Sequence, residues 1–183
     1  MIFAEKQEKN IMIHFYNGDG KGKTSAAAGA AIRMVGQSGK VLFAQFLKGN
    51  ITGEVEILNG ISNVDIIRNK KNYGFVSKMS SDMRKELMAE QNGNLDIIEE
   101  AIRSKKYNLV VMDEIGDAIL HEVADSDKVK KIIQSAKEYE VELIMTGHKD
   151  VDFIIEESDY HTYFIKKKHP FDKGVRARKG VEF

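Results

Sequence analysis

The chain is 183 residues long and 42% hydrophobic, with 28 lysines and arginines against 28 aspartates and glutamates. That length and apolar content suit one packed domain, and the charge balance leaves no long-range field to draw the surface toward nucleic acid or anionic lipid, so any anion binding must be local. The sequence has no cysteine, which excludes disulfides and thiolate zinc sites and agrees with a reducing cytoplasm.

The first ten residues, MIFAEKQEKN, carry charges where a secretory signal needs an unbroken apolar core, and they read as a loose polar arm ahead of a domain over residues 11–183. No later apolar run reaches membrane-spanning length. Ile11 to Tyr16 (IMIHFY) is a β-rich run, and it leads through Gly18, Gly20 and Gly22 into an alanine-rich stretch, Ser25 to Val35, with apolar residues at helical spacing. Val41 to Leu47, Val64 to Ile67 and Leu109 to Met112 follow as strands, unbroken apolar runs of the kind buried on both faces. Leu87, Met88, Gln91, Leu95, Ile98 and Ile102 trace an amphipathic helix that Asn92-Gly93 is expected to break or kink. Val129, Ile132, Ile133 and Ala136 mark another helix, Val141 to Met145 a fifth strand, and Tyr160 to Ile165 a sixth after a short helix near Asp150. Alternating strands and helices predict a largely parallel sheet covered on both faces, with ligands at the carboxyl ends of its strands.

Gly18-Asp19-Gly20-Lys21-Gly22-Lys23-Thr24 lies between the first strand and its helix, the context a phosphate-binding loop requires. Glycines let backbone N–H groups turn inward around an anion, the helix amino terminus adds positive potential, Lys23 adds a full charge, and Thr24 can offer its hydroxyl to Mg²⁺. Asn17 stands where G-x-x-x-x-G-K-[ST] has its first glycine, so the loop is a variant form. A dinucleotide fingerprint counted from Gly18 fails, because Lys23 occupies its last glycine position.

The fourth strand runs into Asp113-Glu114, two carboxylates where a nucleotide enzyme holds Mg²⁺ or its water. Glu114 is read as the magnesium residue, and Asp113 as a supporting group or the cap of the next helix. Gln45 and Lys48 after the second strand, and Thr146-Gly147-His148 after the fifth, point to the same sheet edge. Arg33, one helix length from the loop, either reaches phosphate or decorates the helix. The histidines His14, His121, His148, His161 and His169 lack zinc-ligand spacing.

The segments NGDGKGKTSAAAGAAIRMVG, VLFAQFLKG, NLVVMDEI, MTGH and KKHPFDKGVRARKGVEF together resemble the ATP:corrinoid adenosyltransferase family over nearly the whole chain. The resemblance implies a three-layer, RecA-like P-loop NTPase fold and a soluble homodimer. It implies a reaction in which the reduced cobalt of a corrinoid attacks the ribose 5′ carbon of ATP and inorganic triphosphate leaves. ATP and the corrinoid would be substrates and Mg²⁺ the metal. Gly18 through Thr24 carry over as the triphosphate loop, with Lys23 and Glu114 as the catalytic pair and Thr24 and Glu114 on the metal; Arg33 and Lys48 carry over as weaker nucleotide contacts. The family's loop grips ATP in a sense reversed from ordinary P-loop enzymes, and residues 166–183, by composition only a basic tail, become an active-site cover. Asp19 stands where an asparagine is common and Tyr163 where glutamate often follows Thr162. Phe75 is either a group that helps displace the lower cobalt ligand or a core side chain.

Two other functions fit the same loop. A nucleoside or nucleotide kinase would use it with the acidic pair, and a non-catalytic module would bind ATP only to order its carboxyl-terminal arm.

Overall fold

The computed structural model describes residues 11–49 and 52–181, so the expected arm over residues 1–10 lies outside the described residues. Strands β1 (Ile13–Asn17), β2 (Val41–Gln45), β3 (Val64–Arg68), β4 (Leu109–Asp113), β5 (Glu142–Thr146) and β6 (Tyr160–Tyr163) form one six-stranded sheet in the order β3-β2-β4-β5-β1-β6. Every neighbouring pair is parallel, so the carboxyl ends of β1, β2, β4 and β5 share one edge of the sheet.

The helices are α1 (Lys23–Gly36), α2 (Gly53–Asn59), α3 (Ser81–Arg103), α4 (Ile115–Leu120), α5 (Ser126–Tyr139) and α6 (Asp152–Glu157). On one face of the sheet Ala27, Ala28 and Ala31 of α1 and Leu58 of α2 pack against Val41, Phe43, Val111 and Ile144. The small alanines let α1 lie close on the strands. The opposite face carries the larger core, in which Leu87, Leu95, Ile98 and Ile102 of α3 and Val129, Ile132 and Ile133 of α5 cover Phe15, Leu42, Val110 and Leu143. Central strands β2 and β4 are buried at every position, which is why they read as continuous apolar runs. This α/β architecture, an all-parallel sheet with helices on both faces, is that of P-loop NTPase-like folds.

The structure departs from the sequence reading at several points: β2 ends at Gln45 rather than Leu47 and β6 at Tyr163 rather than Ile165, and three differences concern the helices. Helix α3 runs unbroken through Asn92-Gly93. A helical glycine costs about 1 kcal/mol, whereas each fully buried leucine or isoleucine on the same helix contributes about 1.5–3 kcal/mol; Asn92 also finds tertiary use, accepting the Asp125 N–H at 2.9 Å. Met88, read as part of the buried stripe, is 43% exposed. Helix α2 had no counterpart in the sequence reading, its two buried residues, Val55 and Leu58, being too few to show a period.

Candidate active site

The loop between β1 and α1 is closed on itself. Lys23 is 8% exposed, and its ammonium donates to the carbonyl oxygens of Gly18 at 2.7 Å and Gly20 at 2.8 Å. Burial lowers its pKa, against the opposing pull of Asp117, Glu114, Asp19 and Asp113. A buried cation thus sits inside the ring of loop carbonyls and amides, beside the start of α1.

The far side of the loop is fastened to the segment that follows β6. The N–H of Gly20 donates to the Phe164 carbonyl at 2.8 Å, and the N–H of Phe164 donates to the Asn17 carbonyl at 2.7 Å. A Cβ at Gly20 would lie 2.8 Å from the Phe164 carbonyl group, so this close approach admits only glycine. Asn17 is fully buried. Its amide donates to Asp150 Oδ1 at 2.6 Å, and its Oδ1 lies 2.8 Å from Nε2 of His161; the departure from the glycine pattern therefore ties the loop to the β5–α6 connection and to β6. Asp19 accepts the Lys166 N–H at 2.9 Å, which engages its carboxylate with the tail.

The acidic pair closes the other wall. Asp113, fully buried at the end of β4, gathers four donors. Its Oδ1 accepts the hydroxyls of Thr24 and Thr146, each at 2.9 Å. Its Oδ2 accepts Lys48 Nζ at 2.9 Å and Gln45 Nε2 at 3.3 Å. Glu114 follows with φ 63°, a left-handed conformation that costs about 1–3 kcal/mol for a non-glycine residue. It is held there in part by its N–H, which donates to Thr146 Oγ1 at 2.8 Å. Glu114, not Asp113, occupies the N-cap position of α4, and its side chain makes no capping bond. Lys48 Nζ reaches Glu114 Oε1 at 3.1 Å and Thr24 Oγ1 at 3.3 Å as well. Burial opposes the Lys48 charge, yet Asp113 and Glu114 prevail and push its pKa up to about 12. Burial raises the Glu114 pKa, partly countered by Lys48.

On the β5 side Gly147 and Gly116 pack backbone to backbone, a Cβ on Gly147 falling 3.1 Å from the Gly116 Cα. That approach brings His148 onto Asp117: one oxygen, Oδ2, faces both the His148 N–H at 3.1 Å and its Nδ1 at 2.9 Å. The Asp117 hydrogen bond raises the His148 pKa, with burial working against it.

Between these walls lies a cleft of about 970 Å³ lined by the loop between β1 and α1, Lys48, Glu114, Thr146 and His148. Phe75, Val76 and His121 line it farther out, and His169, Ala177, Gly180 and Val181 of the tail complete it. The structure therefore brings Asp19, Gly20, Lys21, Gly22, Lys23, Thr24, Lys48 and Glu114 into one cleft, with Gly18 adjoining through its bond to Lys23. Arg33 stays outside the lining, exposed in the last turn of α1. Phe75 is 76% exposed, so it is not a core side chain. The sequence reading gave Asp113 a supporting role and set Gln45, Lys48 and Thr146-Gly147-His148 at one sheet edge, but neither the four-donor hub nor the His148–Asp117 pair was read from it.

The comparisons with known proteins point the same way. The family model described as ATP:corrinoid adenosyltransferase BtuR/CobO/CobP matches residues 9–183. A protein named corrinoid adenosyltransferase from Sinorhizobium sp is 29% identical over all of this chain and 85% of its own length. One of the same name from Pseudomonas aeruginosa is 28% identical over all of this chain and 88% of its own. Its namesake in Escherichia coli (strain K12) is 25% identical over 98% of this chain and 89% of its own length. With a family match covering almost the whole chain and a fold and cleft that agree with it, this protein belongs to the ATP:corrinoid adenosyltransferase family.

Proposed function

We propose that this enzyme transfers the 5′-deoxyadenosyl group of ATP to the reduced cobalt of a corrinoid and releases inorganic triphosphate. The observation that carries the reading is the buried Lys23 ammonium at the centre of the loop, opening on a cleft that the loop shares with Phe75, Val76 and the tail. At about 970 Å³ it stands near the top of the ~300–1,000 Å³ range of small-molecule sites.

In this reading the cobalt electron pair forms the new bond to the 5′ carbon, the carbon–oxygen bond breaks, and the triphosphate leaves with that bond's electrons. The cobalt(I) substrate supplies both electrons, so no protein nucleophile is needed. The chain's task is to position the 5′ carbon and to receive the departing charge. Lys23 and the loop amides between Gly18 and Thr24, other than that of Gly20, take the phosphates, which draws the ammonium away from the loop carbonyls it now holds. Lys48 and Arg33 were read as further nucleotide contacts; Lys48 lines the cleft, whereas Arg33 reaches bound ATP only if the nucleotide extends beyond the lining. Exposed Phe75 with Val76 offers an apolar surface to the corrin ring, and residues 166–181 cover the cleft.

The donor set fits magnesium. Thr24 Oγ1, Asp113 and Glu114 are hard oxygen groups, and they already converge on a cation, the Lys48 ammonium. Nearby, Gln45 Oε1 is buried without a hydrogen-bond partner. Among the described residues no group of three or more His, Cys, Asp or Glu side chains could hold a metal unaided, the arrangement expected when water and substrate phosphates complete the shell. Thr24 and Glu114 would hold the ion. When bound, Mg²⁺ neutralises charge on the triphosphate. A cytoplasmic homodimer completes the proposal, as does a single domain over residues 11–183; sedimentation velocity checks the dimer.

The decisive experiment incubates the protein with ATP, Mg²⁺ and a chemically reduced corrinoid. Triphosphate and a cobalt–carbon bond, read by ion chromatography and visible absorption, are expected. ADP formed with a nucleoside acceptor would identify a kinase instead, and ATP binding without turnover a switch module.

A further inference from the structure

Lys48 holds the same oxygens that a divalent cation would need. Its Nζ lies 2.9 Å from Asp113 Oδ2, 3.1 Å from Glu114 Oε1 and 3.3 Å from Thr24 Oγ1. The Thr24 hydroxyl donates its hydrogen to Asp113 Oδ1 at 2.9 Å, so Thr24 Oγ1 meets Lys48, as it would meet a metal, through an oxygen lone pair. Glu114 Oε1 accepts the same ammonium. An ammonium and a divalent ion packed within this one cluster of oxygens repel strongly, so the two compete for it. Asp113 is fully buried and also bound by Thr146 and Gln45; left without Lys48, its charge and that of Glu114 would face each other across adjacent residues with no cation between them.

We propose that Lys48 is an internal placeholder cation: in the ligand-free chain it fills the metal position, keeps Thr24, Asp113 and Glu114 in place, and is displaced when the metal arrives with its nucleotide. The consequence is selectivity for the loaded nucleotide over the bare ion. A free divalent cation must expel an ammonium that then loses both of its carboxylate partners. A metal bound to a polyphosphate brings negative charge into the cleft, and the released ammonium gains a partner there. Binding of the two is thereby coupled without an all-protein metal cage, and the oxygens avoid the collapse or protonation that an uncompensated acidic pair would undergo. The inference rests on the reading of Thr24 and Glu114 as the metal-facing residues, and it names Lys48 as a positioning residue rather than a catalytic one.

The test uses the metal alone, without ATP or corrinoid, so its outcome is independent of the transferase activity. Mn²⁺ is titrated into wild type, Lys48→Met, Lys48→Gln and the double variant Lys48→Met/Glu114→Gln, with free Mn²⁺ followed by electron paramagnetic resonance and Mg²⁺ competition as a check. Both single variants are expected to bind Mn²⁺ at least about tenfold more tightly than wild type, a factor that corresponds to ~1.4 kcal/mol. The double variant should lose the gain. A purely structural lysine would leave metal affinity unchanged or lower it when removed, and either result in both folded single variants overturns the proposal, as does a gain that survives Glu114→Gln. Circular dichroism establishes folding, and the glutamine variant, which keeps a hydrogen-bond donor without the charge, covers a methionine variant that fails to fold.

Discussion

The amide of Gly20 donates to the carbonyl of Phe164 at 2.8 Å, so the loop between β1 and α1 is fastened to the segment leaving the sheet's edge strand rather than standing free. Because a Cβ at Gly20 would meet the Phe164 carbonyl group at 2.8 Å, Gly20→Ala forces the two backbones apart. We expect it to cost about 1–3 kcal/mol, the range for forced overpacking, and to speed proteolysis within residues 164–181. Urea unfolding and limited trypsin digestion measure the two effects; a variant with wild-type stability and an equally resistant tail would refute the coupling.

Lys23→Ala removes the ammonium that bridges two loop carbonyls and, in the proposed reaction, the charge that meets the triphosphate. Turnover should fall by a factor of about 10²–10³ or more. An exposed loop lysine would be thermodynamically silent, but Lys23 is only 8% exposed. Its loss is therefore expected to shift stability by about 1–2 kcal/mol, the net of lost hydrogen bonds and relieved desolvation. Steady-state triphosphate release and denaturant melts report the two separately.

Asp113→Asn keeps the shape of the hub and removes its charge. One of its two acceptors becomes a donor facing either Thr24 and Thr146 or Lys48 and Gln45, so at least one buried group loses its partner. A loss of about 1–3 kcal/mol is expected, seen as a drop of several degrees in Tm, and unchanged thermal stability would argue against the four-donor geometry.

Phe75 contributes little to the fold at 76% exposure, and Phe75→Ala should change stability by less than about 0.5 kcal/mol. As a surface for the corrin ring it matters more: kcat/KM for the corrinoid is expected to fall about tenfold, the equivalent of ~1.4 kcal/mol, with the KM for ATP unchanged. Equal losses toward both substrates would place the ring elsewhere.

The Asp117 carboxylate raises the pKa of His148 above its ordinary value. A raised cationic group stabilises the fold fully below its unfolded pKa, ~6.5 for histidine, and the contribution disappears as pH rises through the folded value. The Tm difference between wild type and His148→Ala should therefore be widest near pH ~5.5 and shrink by pH ~8. With the His148 side chain 56% exposed, solvent screening keeps the amplitude small. NMR titration of the imidazole gives the direct check: the pKa should return toward ~6.5 in Asp117→Asn.

The amino-acid sequence by itself determined the strand-loop-helix that carries Lys23 and Thr24, the parallel α/β class and the position of Asp113-Glu114 at a strand end. Each of these is written within a few residues, as an apolar run, a glycine spacing or a helical period. Tertiary structure decided what those groups do to one another. Whether Asn92-Gly93 breaks a helix depended on the distant Asp125 amide and on side chains buried against the sheet; whether Asn17 is a defect or an anchor depended on Asp150 and His161. Lys48 meets Asp113 across 65 positions, and Lys166 meets Asp19 across 147. Contacts over such separations leave no period or spacing in the chain, because they follow from which strands lie side by side, and strand order is a property of the packed sheet alone.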